Sequence, residues 1–281
     1  MADLMIILYA LAGIGVGFIA ALLGLGGGFI MVPLLNLVFG IPIRQSIGTS
    51  LFTIVFTSSS SSVEYVRKRV TDLKLGAMMI PFTITGAVIG ANVSVLIPED
   101  ILKAIFGVVL FIASVRMFLK KNNKDKLGLQ SDTEEDVSGS KFLCVSRICT
   151  EPDGTQFEYT VSIPLIALFG FCAGLVSGLL GVGGGIIQVP VLNLIFGIPI
   201  HIAIATSLFI IIFTSSFGMT THLLLGNVIL SIGVLLAIGT VIGGQIGARA
   251  AQKIERRKLR KIFAILMAFA GIRMFISLFA I

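Results

Sequence analysis

Apolar residues form long uninterrupted stretches along this chain, separated by short clusters of charged residues or of glycine and proline. No Asp, Glu, Lys or Arg occurs at positions 4–43 or 159–248. A helix that crosses a bilayer needs about 20 apolar residues, so the second stretch alone has room for roughly four crossings. The pattern predicts ten apolar segments, at 5–23, 29–39, 45–66, 75–97, 101–119, 161–180, 186–196, 202–224, 228–249 and 259–280.

The composition gives these segments a membrane setting. Hydrophobic residues make up 56% of the chain and charged residues 12%, whereas a soluble domain has roughly 25% charged residues. The fold class that we expect is an all-α polytopic membrane protein in the plasma membrane, with the lipid bilayer as its surroundings. The net charge of +7 does not indicate nucleic acid, because the basic residues fall in short loops between apolar segments, as is usual in membrane proteins.

The chain repeats itself after 157 residues. Between positions 24 and 59, 25 of 36 residues are identical to those 157 positions later. The sequence therefore predicts a first transmembrane repeat at 1–119 and a second at 161–281, each with five segments. Residues 120–160 form a polar linker in which two short strands around Glu151-Pro152-Asp153-Gly154 predict a β-hairpin.

Charges in equivalent loops predict that the two repeats are inverted. Loop 67–74 has four Lys or Arg residues, and its equivalent, 224–231, has no charge. Loop 96–103 is acidic, whereas its equivalent, 253–260, is basic. Basic loops face the cytoplasm, so an odd number of segments per repeat places both termini outside and the linker inside. Inverted repeats are typical of secondary transporters, whose substrate site lies near the midplane.

The strongest candidate chemistry lies in two glycine-rich motifs, Gly24–Pro42 and Gly181–Pro199. Each introduces a helix of about 11 residues, which spans only about half of the hydrocarbon layer. Short, broken helices at corresponding positions of two halves indicate a binding site, here for an anion at the start of each helix. Close helix packing is the competing explanation for these small residues. The substrate-binding candidates are Gly26, Gly27, Gly28, Thr49, Ser50, Gly183, Gly184, Gly185, Thr206 and Ser207.

Four further polar residues complete the candidate site. Asn36 and Asn193 lie inside the short apolar helices, where an uncompensated amide is costly, so each is expected to face either protein or the cavity, and we favour the cavity. Arg44 and His201 follow the Gly-Ile-Pro breaks and could attract an anion, or could simply end helices at the membrane surface.

The chain resembles the TauE/SafE family of sulfite exporters, also called TSUP permeases. The resemblance lies in Gly-x-Gly-Gly-Gly followed by Val-Pro in each half (Gly24–Pro33 and Gly181–Pro190) and in the Thr-Ser pairs downstream. It implies a transporter, as an exporter, of a small sulfur-containing anion such as sulfite, thiosulfate or an organosulfonate, coupled to a proton gradient.

Two other functions remain open from the sequence. An anion channel could use the same site without alternating access. An intramembrane enzyme is the more distant alternative, because the chain has no His-Glu-x-x-His, no Gly-x-Ser-x-Gly and no pair of carboxylates within its spans. Neither the histidines nor the cysteines have the spacing of metal ligands, and we expect no cofactor.

Overall fold

The structure, a computed structural model, describes residues 2–119, 144–150, 156–251 and 265. The helices in this part of the chain are α1 (Ala2–Leu23), α2 (Gly28–Pro33), α3 (Ile43–Arg67), α4 (Leu73–Leu96), α5 (Glu99–Leu119), α6 (Ile163–Leu180), α7 (Gly185–Pro190), α8 (Ile200–Leu224) and α9 (Leu230–Ala251). The strands are β1 (Cys144–Thr150) and β2 (Gln156–Ser162). Helices occupy the first nine predicted segments. The tenth, 259–280, lies outside the described residues apart from Ile265.

The two short helices are broken where the sequence has proline. Helices α2 and α7 have six residues each, and a wider π-helical turn follows each of them, at Leu34–Val38 and Val191–Ile195. Proline has no N–H for the carbonyl four residues earlier, so Pro33 and Pro190 interrupt the regular hydrogen-bond ladder at this point. The prediction of two short helices at corresponding positions is confirmed.

Glycine and proline also end the short segments. Gly40 and Gly197 have φ angles of 66° and 70°, a left-handed conformation that other residues rarely adopt. Pro42 and Pro199 then precede α3 and α8, with extended backbone. Each short helix therefore leads through a sharp turn into a helix of 25 residues.

Small residues allow α4 to pack closely on α6. A Cβ added to Gly86 or Gly90 would collide with a backbone carbonyl of α6, and one added to Gly174 or Gly178 with a carbonyl of α4. Helices α1 and α9 approach each other in the same way. Within each pair, residue numbers rise in the same direction along both helices, so the members of each pair run parallel. Close packing therefore accounts for these glycines.

Helices α3 and α8 meet in the middle of the bundle and run in opposite directions. Thr49, near the start of α3, accepts a hydrogen bond from the backbone N–H of Ile229, just beyond the end of α8. Thr206, near the start of α8, accepts one from the N–H of Asp72, just beyond the end of α3. The two donor–acceptor distances are both 3.0 Å.

The two strands of the predicted hairpin are present and pack against the helices, whereas its turn at 151–155 and linker residues 120–143 lie outside the described residues. Strands β1 and β2 are antiparallel, with Cys144 opposite Ser162 and Thr150 opposite Gln156. Tyr159 and Val161 of β2 are buried in the main apolar core.

Polarity is distributed as expected for a protein in lipid. The structure describes four helices that are long and apolar enough to cross a membrane, α4, α6, α8 and α9. Large apolar side chains are exposed on the outer faces, among them Leu168 and Ile238, both 56% exposed. Hydroxyl side chains are buried inside, including Ser50 and Thr206. Apolar side chains on the surface and hydroxyl groups inside suit an apolar solvent.

Candidate functional site

The loops Gly24–Gly28 and Gly181–Gly185, which we call the glycine loops, pack directly against each other. A Cβ added to Gly28 would collide with the carbonyl oxygen of Gly181. One added to Gly185 would lie 2.6 Å from the Cα of Leu25 and 3.0 Å from the carbonyl oxygen of Gly24. Only glycine permits this approach, so each half needs its own glycines in order to contact the other.

Gly26 and Gly183 are equivalent residues that each approach both halves of the molecule. Both have left-handed backbone, with φ angles of 76° and 78°. A Cβ on either residue would come within 3.1 Å of the side chains of both Ile54 and Ile211. Since Ile54 and Ile211 are equivalent residues of α3 and α8, these four residues mark the pseudo-symmetry centre, which we call the central contact.

Two serine hydroxyls tie the loops to the central helices. Ser50 donates to the carbonyl oxygen of Gly181 at 2.8 Å, and Ser207 donates to that of Gly24 at 2.7 Å. The two bonds are equivalent, because Ser207 is 157 residues after Ser50 and Gly24 is 157 residues before Gly181. Both bonds join one half to the other. Together with the backbone bonds accepted by Thr49 and Thr206, they occupy the hydroxyls of both predicted Thr-Ser pairs.

The two asparagines hold the turns that follow the short helices. Asn36 donates to the carbonyl oxygen of Ile41, and Asn193 to that of Ile198, both at 2.8 Å. Each amide therefore satisfies a carbonyl freed by the helix break in its own half. The expectation that these amides also contact a substrate stays a prediction.

Arg44 and His201 lie away from the central contact. Each is ten residues before the isoleucine of its helix in this contact (Ile54 or Ile211), which is about 15 Å along the helix axis. Arg44 is partly buried and donates to the carbonyl oxygen of Ile97 at the end of α4 at 2.9 Å. His201 is partly buried at the start of α8. Both residues are thus distant from the central contact, but each is one turn before the residue on which the other half's loop begins, because Gly181 packs on Ile47 and Gly24 on Ile204.

Ser58 and Ser215 reach the central contact without a hydrogen-bond partner. Both are fully buried, and neither hydroxyl is paired. The Ser58 hydroxyl would lie 3.3 Å from a Cβ on Gly26, and the Ser215 hydroxyl is equally close to one on Gly183. An unpaired buried hydroxyl is costly, so these two groups indicate a place where a ligand with hydrogen-bonding atoms can bind.

Sequence reasoning did not include these serines among the candidates. They belong to the Thr-Ser-Ser runs at 57–59 and 214–216, in which several hydroxyls bond back to their own helix. Thr57 donates to the carbonyl of Thr53, and Thr214 to that of Ile210. Only the three-dimensional arrangement distinguishes the unpaired hydroxyls from their neighbours.

Comparison with known proteins identifies the family. The family model described as "Sulfite exporter TauE/SafE" matches residues 9–274. The chain belongs to the TauE/SafE family. It is a member of a family of membrane transporters, in agreement with the resemblance that the two glycine motifs indicated.

Several relatives match this TauE/SafE chain over nearly its whole length. The "Probable membrane transporter protein YunE" of Bacillus subtilis (strain 168) is 30% identical, over 94% of this chain and 95% of the relative. YdhB of the same organism, also named a probable membrane transporter protein, is 27% identical over 96% and 98%. The "Sulfite exporter TauE/SafE family protein 6" of Arabidopsis thaliana is 22% identical over 84% and 72%. No solved structure matches the chain.

Proposed function

We propose that this protein is a secondary transporter that exports a small sulfur-containing anion, such as sulfite, thiosulfate or an organosulfonate, by alternating access. The observation that carries the proposal is the central contact, where two glycine loops meet beside the unpaired hydroxyls of Ser58 and Ser215. The family description, "Sulfite exporter TauE/SafE", supports export as the direction.

The arrangement of the helices supports two inverted repeats, 1–119 and 161–281. Contacts between the halves occur in equivalent pairs whose residue numbers differ by 157. The bond from Ser50 to Gly181 and the bond from Ser207 to Gly24 are one such pair. Antiparallel α3 and α8 are equivalent helices, which is the relation expected of inverted copies. In transporters of this construction, substrates bind where the two copies meet.

Loop charges and contacts support one orientation in the membrane. The Tyr159 hydroxyl donates to the Asp72 carboxylate, so the hairpin lies on the same side as basic loop 67–74. Glu64 at the end of α3 pairs with Lys68 at 3.1 Å and with Arg249 of α9 at 3.7 Å, which adds the end of α9 to this side. The positive-inside rule makes this side cytoplasmic.

The chemistry of the central contact suits a small oxyanion. Beside the apolar Ile54 and Ile211, the polar side chains here are the hydroxyls of Ser58 and Ser215, which can donate hydrogen bonds, and the glycines leave the backbone N–H groups uncovered by side chains. No side chain caps α2 or α7, whose starts adjoin the glycines. Neutral donors can hold an anion in a buried site without the cost of burying a lysine or arginine.

Burial of the site supports a carrier rather than an open pore. Ser58, Ser215 and the four residues of the central contact are all buried, so a ligand can reach them only after part of the bundle moves. Such a movement would have to separate the two glycine loops and break the bonds that Ser50 and Ser207 make between the halves. The loop residues concerned are Gly26–Gly28 and Gly183–Gly185. The broken α2 and α7 are the elements best suited to move.

Flux measurements in proteoliposomes test the proposal. Sulfite, sulfate, thiosulfate, taurine and sulfoacetate are offered separately, with and without a pH gradient. We expect saturable flux of at least one sulfur anion, accelerated by unlabelled anion on the opposite side. Flux that does not saturate would indicate a channel, a new chemical product would indicate an enzyme, and no flux of any anion would overturn the proposal.

Variants of Ser58 and Ser215 test whether the transported anion binds at the central contact. We expect Ser58→Ala combined with Ser215→Ala to lower the affinity for the transported anion about tenfold or more, because two donors to a charged ligand are lost. Ser61→Ala is the matched control, since this buried α3 hydroxyl already bonds to the carbonyl of Thr57 at 2.7 Å. Equal affinity in the double variant and the control would remove these serines from the site.

A further inference from the structure

The two halves differ in polarity at two positions beside the glycine loops. Gln188 of α7 stands where the first half has Met31, and Ser177 of α6 stands where it has Ala20. Both substitutions place a hydrogen-bonding side chain only in the second half. The backbone is therefore pseudo-symmetric, but its polar side chains beside the loops are not.

Gln188 is fully buried, and both of its amide atoms are unpaired. The side chain has no exposed surface, and neither Nε2 nor Oε1 has a hydrogen-bond partner. The Nε2 atom would lie 3.1 Å from a Cβ on Gly184, so the amide borders the glycine loop. The preceding residue in that loop, Gly183, is the one that approaches Ser215. Gln188 and Ser215 thus border consecutive residues of one loop.

Ser177 adds a second unpaired group to the same half. Its side chain is fully buried, and its hydroxyl has no partner. In the first half, the Cβ of the equivalent Ala20 lies 2.9 Å from a Cβ placed on Gly27. Gly27 is equivalent to Gly184, so the pseudo-symmetry places Ser177 near the second loop, although less close to Gly184 than Ala173 and Gln188, which supply the three nearest atoms. It lies one turn after Ala173, whose carbonyl oxygen also approaches Gly184.

We propose that Gln188, Ser177 and Ser215, with Gly183 and Gly184, form a subsite for the oxyanion group of the substrate, displaced from the pseudo-symmetry centre towards the second half. The inference rests on the proposed transport function and extends it. Gln188 and Ser215 contact this loop, and Ser177 lies on the helix that adjoins it, all with unpaired polar atoms, whereas the equivalent positions of the first half have Ser58 as their one polar side chain. A small oxyanion would therefore find more hydrogen-bond donors in the second half than in the first.

The unpaired amide oxygen narrows the class of ligand. The glutamine Nε2 and the hydroxyls donate to anionic oxygens, whereas Oε1 can only accept a hydrogen bond. An oxyanion that also carries a donor, either a protonated oxygen or a hydroxyl on a short stem, satisfies all of these groups together. A sulfonate without a donor leaves Oε1 unpaired. We therefore expect 2-hydroxyethanesulfonate to bind more tightly than ethanesulfonate, which has the same sulfonate and stem length.

Variants that copy the first half into the second test the subsite. Gln188→Met and Ser177→Ala introduce the residues found at the equivalent positions, and Met31→Leu is the control at the equivalent site. Binding of sulfite, 2-hydroxyethanesulfonate and ethanesulfonate is measured by thermal shift of purified protein, and KM by flux. We expect Gln188→Met to weaken sulfite binding about tenfold or more and to abolish the preference for the hydroxylated sulfonate.

The outcomes separate the subsite from the proposed function. Wild-type protein that binds and transports none of the three anions would count against the transport proposal itself. If wild-type protein transports them, but Gln188→Met and Ser177→Ala both keep its KM and its preference, the subsite is wrong. Should Gln188→Met fail to fold, Ser177→Ala decides the question alone. A changed melting temperature with unchanged KM would assign Gln188 a purely structural role and overturn the inference.

Discussion

At the scale of single residues, glycine performs two different tasks in this protein. Gly86 and Gly90 provide a flat surface on which another helix packs, whereas Gly26 and Gly183 have backbone angles that a side chain would strain. The first task requires only small size. The second requires glycine itself, and it occurs where the halves meet.

Substitution of Gly27 tests the second task. Gly27 has a φ of 95°, and a Cβ there would lie 2.9 Å from the Cβ of Ala20. We expect Gly27→Val to abolish anion flux in proteoliposomes while the protein still inserts, because a branched side chain has neither the backbone conformation nor the space.

Gly40→Ala is the matched control for this prediction. Gly40 also has positive φ, 66°, but nothing lies within 4 Å of a Cβ there. We expect it to lower stability by about 1 kcal/mol through backbone strain alone and to retain flux. Equal loss of flux in both variants would mean that strain, and not crowding at the loop, is responsible.

What the sequence could reveal about the site depended on the kind of signal. The glycine motifs and the Thr-Ser pairs were visible because they occur twice, and repetition marks positions that both halves need. Gln188 and Ser177 were missed because they interrupt the repetition. Comparing the copies for differences in polarity would have exposed Met31 against Gln188, but only coordinates reveal that the amide has no partner.

At the scale of elements, the sequence predicted helices and their breaks well because the physical causes are local. Apolar runs give the long helices, and Pro33 with Gly40 limits the short segment. The contact between the hairpin and the helices could not be predicted, since it joins residues distant in the chain. Tyr159 of β2 donates to Asp72, which also caps α4 by accepting from the N–H of Leu75 at 3.0 Å.

Through this contact, Asp72 joins strand β2 of the linker to the helix that holds a glycine loop. Its backbone N–H donates to Thr206, one residue before Ser207, which holds the opposite glycine loop. We expect Tyr159→Phe to loosen the hairpin, because the buried carboxylate loses a donor. Hydrogen exchange of β2 amides should then be at least several-fold faster than in the wild type.

Tyr9→Phe provides the control for the hairpin. It makes the same chemical change at a buried tyrosine of α1 and keeps the packing of that ring on Phe39, whose centroid is 4.5 Å away. We expect wild-type exchange of β2 in this variant. Unchanged exchange in Tyr159→Phe as well would mean that apolar contacts of Tyr159 and Val161 hold the hairpin without the hydroxyl.

At the scale of the whole molecule, the proposed inversion makes a prediction about the two sides of the membrane. Arg67 and Leu224 are equivalent residues that end α3 and α8, and both are exposed. Because α3 and α8 run antiparallel, these two helix ends lie at opposite ends of the bundle. A cysteine at either position reports its side through labelling with a membrane-impermeant thiol reagent.

We expect Leu224→Cys to react in intact cells and Arg67→Cys to react only after the membrane is permeabilised. The background lacks the native Cys144, Cys149 and Cys172, so that the introduced cysteine is the one thiol of the chain. The basic residues of loop 67–74 favour the cytoplasm for Arg67, and the uncharged equivalent loop has no such preference.

If both cysteines reacted from the same side, the two repeats would share one orientation. The glycine loops could then not meet as inverted copies around a central substrate. The opposite pattern, with Arg67→Cys outside, would keep the inversion but reverse the orientation and place the hairpin outside the cell.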